Sequence, residues 1–178
     1  MSPRNPPVLE SERLILRPHV AQDFDAVARL WADPEVVRFI SGIPATREES
    51  WARLLRYMGH WQALGFGYWA VTLRDGGDFV GEVGFANFRR DMQPGLDDVP
   101  EAGWVLSPAV HGRGIASEAV ACMHRWAEQH TDWTETACIF DPAHEVSQKV
   151  ARRLGYTPRP EARYKGGTVL VMARPIAR

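Results

Sequence analysis

Apolar residues recur along this chain with two periods, and the change of period divides it. Over 22–32, Phe24, Val27, Leu30 and Trp31 fall at helical spacing, and Asp33-Pro34 closes that segment. A longer helix is predicted over 47–63. Thr46 is its N-cap, Glu49 three residues on completes a capping-box pattern, and Trp51, Leu54, Leu55, Met58 and Trp61 form its apolar face. After Gly65 the period becomes two. Residues 68–73 and 79–88 read as strands joined at the Asp75-Gly76-Gly77-Asp78 turn. A polar loop over 89–100 leads to a strand over 101–106. From 114 to 129, Ile115, Ala119, Cys122 and Trp126 run beside Ala116, Val120, Met123 and Ala127, the wide stripe of a helix lying on a sheet. Residues 135–140 form another strand. Asp141-Pro142 then starts a helix with Asp141 as N-cap, Val146, Val150 and Leu154 facing inward and Gly155 ending it. Tyr156 and 168–172 complete the sheet around a turn at 163–167, and 13–17 is a short strand closed by Pro18. These elements predict one α/β domain with a mixed sheet over 1–178, the Pro-rich residues 1–8 being disordered or loosely attached.

With 178 residues the chain buries about 70% of the surface that its unfolded form exposes, so neither disulfide nor metal is needed to hold it. Its net charge of −1 gives no general attraction for nucleic acid or anionic membranes, so any phosphate recognition is local. Cys122 and Cys138 sit in apolar patterns without a CxxC or a histidine at ligand spacing, which predicts buried reduced thiols and no metal site. His19, His60, His124 and His130 likewise read as surface or capping residues. The N-terminus lacks the apolar core of a signal peptide, and 18 consecutive apolar residues occur nowhere. A soluble cytoplasmic protein is expected.

The stretch over 107–118 carries the clearest chemistry. An apolar strand ends at Pro108, Gly112 and Gly114 follow, and a helix begins. A loop that opens a helix presents backbone N–H groups without intrahelical acceptors, and the helix dipole adds positive potential. That combination suits an anion such as a phosphate. The two glycines tolerate positive φ and let a ligand approach the main chain.

His111-Gly112-Arg113-Gly114-Ile115-Ala116 resembles the [Gln/Arg]-x-x-Gly-x-[Gly/Ala] loop of the GNAT N-acetyltransferase superfamily. Leu9-Glu10-Ser11-Glu12-Arg13-Leu14-Ile15-Leu16-Arg17, Val80-Gly81-Glu82-Val83-Gly84-Phe85, Glu101-Ala102-Gly103-Trp104-Val105-Leu106 and Asp141-Pro142-Ala143-His144-Glu145-Val146-Ser147 with Arg153-Leu154-Gly155-Tyr156 are similar, in the right order, to its ribosomal-protein-alanine (RimJ/RimL-like) branch. The resemblance implies a mostly antiparallel seven-stranded mixed sheet flanked by about four helices, with strands 4 and 5 splayed. It implies acetyl-CoA as donor and a primary amine as acceptor, by direct attack in a ternary complex. Val105 and Leu106 would pair with pantetheine. His111, Gly112, Arg113, Gly114, Ile115, Ala116 and Ser117 would cradle the phosphates, with Arg113 able to add a side-chain contact. His144 stands where an asparagine usually contacts pantetheine. No nucleic acid or membrane partner is implied, and the chain would be a monomer or homodimer.

Neutralising a lysine at pH 7 costs roughly 4–5 kcal/mol, against roughly 1 kcal/mol for an N-terminal amine, so the N-terminal acceptor is the easier case. By the same resemblance Glu101 is the base near the acceptor, and Glu82, one strand earlier, is the competing carboxylate. The tyrosine that many relatives use as acid toward the CoA sulfur is replaced by Ala151, which leaves Ser147, His144 or water for that role. Trp31, Trp51, Trp61 and Trp69 read as core residues, of which one or two could face the acceptor, as could Tyr164 and the 91–100 loop with Asp91, Asp97 and Asp98. Three other readings compete. Gly112-x-Gly114-x-x-Ser117 approaches a dinucleotide fingerprint but lacks its third glycine. A non-catalytic acyl-CoA-binding module would share the same loop. A small amine or an aminoglycoside could replace a protein N-terminus as acceptor.

Overall fold

The computed structural model describes residues 5–177. The chain enters along β1 (Leu9–Glu10) and β2 (Leu14–Arg17), turns through α1 (Phe24–Ala32), α2 (Pro34–Val37) and α3 (Arg47–Leu64), and forms the β3 (Tyr68–Leu73)–β4 (Phe79–Ala86) hairpin. After β5 (Met92–Gln93) and β6 (Glu101–Leu106) come α4 (Ile115–His130), β7 (Glu135–Phe140), α5 (Glu145–Arg153), β8 (Thr157–Tyr164) and β9 (Gly167–Pro175). Among the described residues one nine-stranded sheet runs in the order β1-β2-β3-β4-β6-β7-β9-β8-β5. All its pairings are antiparallel except β6 with β7. The two strands beyond the expected seven are the two-residue β1 and β5, too short to show as a period in sequence.

The helices divide between the two faces. Ile115, Ala119, Val120, Met123 and Ala127 of α4 bury against Leu14, Leu16, Trp69, Val71, Val83 and Phe85. On the other face Val27, Leu30, Trp31 and Leu54 pack with Val36 and Val37, and Val105 reaches into that cluster. Thr46 and Glu49 close the expected capping box on α3, but the helix is rotated from the predicted phase. Ser50, Leu54, Tyr57 and Trp61 are buried, whereas Trp51 and Leu55 are exposed. The rotation is set by the sheet. Tyr57 stacks on Tyr68 with centroids 4.4 Å apart, and the Trp61 indole donates to the Tyr68 carbonyl at 3.0 Å.

Other departures have local causes. Asp33-Pro34 stops α1 and also starts α2, because Asp33 accepts the Glu35 amide at 2.9 Å and proline suits the first helical position. Asp141 caps only the turn before α5, accepting from the Ala143 amide at 2.8 Å, and the helix starts at Glu145. Its buried face is Ser147, Gln148, Val150 and Ala151, while Val146 is 68% exposed. β8 forms despite Pro158 and Pro160, since its register with β9 breaks between Arg159 and Ala162 and only β5 lies beyond it. Within the segment expected to be loose, the Pro7 carbonyl accepts the Trp69 indole at 2.9 Å, and residues 1–4 lie outside those described.

His124 belongs to the core and not to the surface. It is 2% exposed, and its Nε2 shares a 2.9 Å hydrogen bond with the Tyr156 hydroxyl, which also bonds Thr136 Oγ1 at 2.7 Å. Burial pulls the His124 pKa down to about 3, so the imidazole folds neutral. The unfolded chain therefore binds one more proton than the folded one between about 6.5 and about 3, and stability falls as pH falls through that window. Chemical denaturation across this range should show a shallower acid loss for His124→Gln than for the native chain. An unchanged slope would remove His124 as a source of acid sensitivity.

Candidate active site

β6 and β7 meet at one residue pair and then part. Glu101 pairs with Ala137, whose amide donates to the Pro100 carbonyl at 3.0 Å. On its other side β6 is fully paired to β4, and the Ser107 amide donates to Val80 at 2.8 Å. Antiparallel hydrogen bonding alternates along a strand. It therefore turns the main-chain groups of Glu101, Gly103 and Val105 toward β4, and those of Trp104 and Leu106 toward the gap. Leu106 lies on the open edge. Val105 does not: its amide and carbonyl are directed at β4, and Trp104 takes its place. The residue two ahead of Leu106 was there to be found from strand alternation.

The 107–114 loop closes one end of the gap. Ser107 caps a short turn by accepting the Ala109 amide at 3.3 Å. Gly112 and Gly114 adopt left-handed conformations at φ 73° and 74°. The first α4 hydrogen bond from beyond the cap is Glu118 N–H to Gly114 O at 3.1 Å. The amides of Ile115, Ala116 and Ser117 precede it and point out of the helix end. His111 turns inward, and its Nε2 lies 3.1 Å from the Leu106 carbonyl. A clamp that the sequence did not disclose fixes the loop from behind. Arg13 Nη1 donates to the Arg113 carbonyl at 2.8 Å, and the Glu118 carboxylate accepts from Ser11 Oγ, Arg13 N and Arg13 Nε at 2.7, 2.7 and 2.6 Å. Its signal was the Ser11-Glu12-Arg13 run just before the first strong strand.

The start of α5 brings Ser147 and His144 together, with Oγ and Nε2 3.1 Å apart. Phe39 stacks on the imidazole at 4.9 Å. Burial lowers the His144 pKa and nearby His111 lowers it further, against Asp141, which raises it. His144 is thus held as a neutral imidazole.

The two carboxylates of β4 and β6 differ sharply. Glu101 is 6% exposed and is gripped by Arg90, with Nε and Nη2 each 2.8 Å from a carboxylate oxygen. Arg90 Nη1 also donates to the Tyr164 hydroxyl at 3.1 Å, and its guanidinium lies over the Phe88 ring. A bidentate charge-assisted pair engages both oxygens of the Glu101 carboxylate. Beside it the 86–101 segment encloses a cleft of about 480 Å³ that Asp91, Asp97 and Asp98 help to line. Glu82 is 0% exposed, and neither carboxylate oxygen has a protein hydrogen-bond partner among the described residues. Its backbone stands opposite Val105, and His19 Nε2 lies 4.0 Å from its Oε1. Burial raises its pKa to about 7, against Arg53, Tyr57 and Trp31, which lower it. His19, expected at the surface, is buried, and its pKa falls to about 4. Trp61 and Trp69 are core residues, the Trp31 ring packs inward beneath the Arg53 guanidinium at 3.5 Å, and Trp51 lies exposed against Phe24.

The family model of the acetyltransferase (GNAT) domain matches residues 13–157. An acetyltransferase from Agrobacterium tumefaciens str. C58 is 28% identical, with a TM-score of 0.82 over 95% of this chain and 94% of that one. The uncharacterized N-acetyltransferase YoaA of Bacillus subtilis (strain 168) is 24% identical over 171 residues, 91% of either chain. A RimL ribosomal L7/L12 alpha-N-protein acetyltransferase in complex with coenzyme A shares the fold at 16% identity, with a TM-score of 0.78 over 96% of this chain and 98% of that one.

Removing Arg90 would leave the Glu101 charge buried without a partner. Arg90→Met should cost about 2–3 kcal/mol in denaturant unfolding, somewhat less than for a fully buried pair. Arg90→Met combined with Glu101→Gln should recover much of that loss. A single variant as stable as the native chain would contradict the structural weight given to this pair.

Proposed function

We propose, from the premise that this chain belongs to the GNAT acetyltransferase family and is an acetyl-CoA-dependent N-acetyltransferase, that its acceptor is a protein N-terminal α-amine. The observation that carries the donor half of this reading is the open edge of β6, with Trp104 and Leu106 facing the gap. The pantetheine arm is an extended amide chain and can add to that edge as a short strand. The loop residues His111, Gly112, Arg113, Gly114, Ile115, Ala116 and Ser117 then surround the pyrophosphate. Gly112 supports this, since a Cβ there would meet nothing within 4 Å and a ligand has room to approach. Its tools are backbone amides and the helix dipole, which accords with a chain of net charge −1.

The acceptor half rests on charge and pKa. A cationic amine is favoured near the cleft that Asp91, Asp97 and Asp98 line beside Tyr164. An α-amine is about one pKa unit from neutral at pH 7, so it reaches its nucleophilic form at small cost. The RimL fold likeness is consistent with such a substrate. In the transfer the amine nitrogen bonds to the acetyl carbon while the carbon–sulfur bond breaks and the sulfur takes a proton. Ser147 Oγ–H supplies that proton and recovers one from solvent, with the neutral His144 ring orienting the hydroxyl. We place the reaction in the cytoplasm, where the buried Cys122 and Cys138 stay as thiols. The chain acts as a monomer or homodimer.

Calorimetry should show acetyl-CoA binding and no binding of a nicotinamide dinucleotide; the reverse would sink the donor assignment. A panel of alanine- and serine-initiated peptides, polyamines and aminoglycosides, read as CoA release, should give its highest kcat/KM on a peptide. Preference for a small amine would replace the acceptor assignment, and binding without turnover of any amine would make the chain a binding module. Ser147→Ala should lower kcat about 100-fold at nearly constant KM for acetyl-CoA. Full activity would leave the sulfur's proton to water.

A further inference from the structure

The face of the sheet under α1 and α3 holds a buried group of polar side chains that the donor site does not use. Both Glu82 oxygens, both His19 ring nitrogens, Trp31 Nε1, Arg53 Nε and Ser50 Oγ lack protein hydrogen-bond partners among the described residues. Buried polar atoms are nearly always paired, so a cluster on facing elements calls for a functional reason. These atoms come from the segment before α1, from α1, from α3 and from β4. His19, Trp31 and Arg53 surround the Glu82 carboxylate. His19 Nε2 is 4.0 Å from Glu82, Tyr57 and Trp31 aim their hydroxyl and indole groups at it, and the His19 and Tyr57 rings lie 5.3 Å apart.

We propose that Glu82, and not Glu101, is the proton acceptor for the amine, with Trp31, Tyr57 and Tyr68 around its carboxylate. This rests on the acetyltransferase reading above. Three observations carry it. Glu82 is the cross-strand partner of Val105, whose neighbours Trp104 and Leu106 form the open edge. Partners in an antiparallel pair present side chains on one face, about 5 Å apart, so the carboxylate sits one strand from the acyl chain. Next, the route between them is lined by hydroxyls. Tyr68 reaches so far over Gly103 that a Cβ there would collide with its hydroxyl, and Tyr57 stacks on Tyr68 at 4.4 Å. Burial raises the pKa of both tyrosines, which keeps them neutral donors. Finally, Glu101 is satisfied by Arg90, whereas Glu82 has lone pairs to give.

The charged and titratable groups facing Glu82 do not pre-empt it. Asp23 is paired with Arg17, the nearby His19 is neutral with a pKa of about 4, and Arg53 lies over the Trp31 ring. Arg56, on the same helix, lies 6.0 Å from the Tyr57 centroid. A carboxyl pushed up to about 7 is matched to accept a proton near neutrality and release it to solvent before the next turnover. In the step, one amine N–H proton ends on a Glu82 oxygen. The nitrogen's electron pair forms the bond to the acetyl carbon, and the sulfur leaves with a proton from Ser147.

Glu82→Gln preserves shape and removes the base. Infrared titration of the free protein should show a carboxyl that changes protonation near pH 7 in the native chain and in Glu101→Gln, and is missing from Glu82→Gln. With the best amine of the panel, Glu82→Gln should lower kcat about 100-fold and remove the titration near pH 7 from the acidic limb of the kcat/KM profile, leaving only that of the amine, while acetyl-CoA binding and the melting temperature persist. Glu101→Gln should retain the titration near pH 7. Turnover of Glu82→Gln within about threefold of native with the limb intact, or a carboxyl titration that survives the substitution, would overturn the proposal. Failure of the native chain to bind acetyl-CoA would instead overturn the acetyltransferase reading beneath it.

Discussion

A single pair of residues, Glu101 against Ala137, joins the two halves of this sheet in parallel. Had β6 and β7 stayed paired along their length, no main-chain donor or acceptor in the middle of the sheet would be free. Because they part, the sheet has an internal edge, and an unpaired edge is a template for another extended chain. The Gly loop after β6 and the start of α5 after β7 flank the mouth that this parting makes. The vertex needs a firm pin, since strain at the gap would otherwise be relieved by sliding. The Arg90–Glu101 pair with Tyr164 supplies one, linking β6 to the 89–100 loop and to the end of β8.

The site divides its electrostatics between backbone and side chains. The loop amides are set by Gly112 and Gly114, with Arg13 and Glu118 fixing the loop from outside. Two buried carboxylates stand on one face of adjacent strands. One is paired with a guanidinium and holds the frame. The other stands among Trp31, Tyr57 and Tyr68, with its affinity for a proton raised by burial. The same residue type thus meets two different environments according to what stands opposite it.

Much of this was legible in sequence where the signal was local. Thr46 and Glu49 announced α3, the residues over 135–140 announced β7, and the proline and glycines over 108–114 announced the loop. What could not be read was set by partners distant in the chain. Five apolar residues argued for one face of α3, and Tyr68 selected another by stacking on Tyr57. Val146 looked like core and faces solvent, because Gln148 turns inward to bond the Pro142 carbonyl at 3.0 Å. The roles of Glu82 and Glu101 follow from Arg90, eleven residues before Glu101 and in a loop with no period. Ser147 and His144 were each visible as candidates, yet only the α5 turn shows them as a pair.

The central claim is that acetyl-CoA adds itself as a strand to the open edge of β6. Amide hydrogen exchange on the native chain, with and without acetyl-CoA, tests this most directly. Slowed exchange is expected at Trp104 and Leu106 and at the 112–117 amides, with the β4-bonded amides of Gly103 and Val105 unchanged. Saturating acetyl-CoA that leaves Trp104 and Leu106 exchanging at their free rates would contradict it.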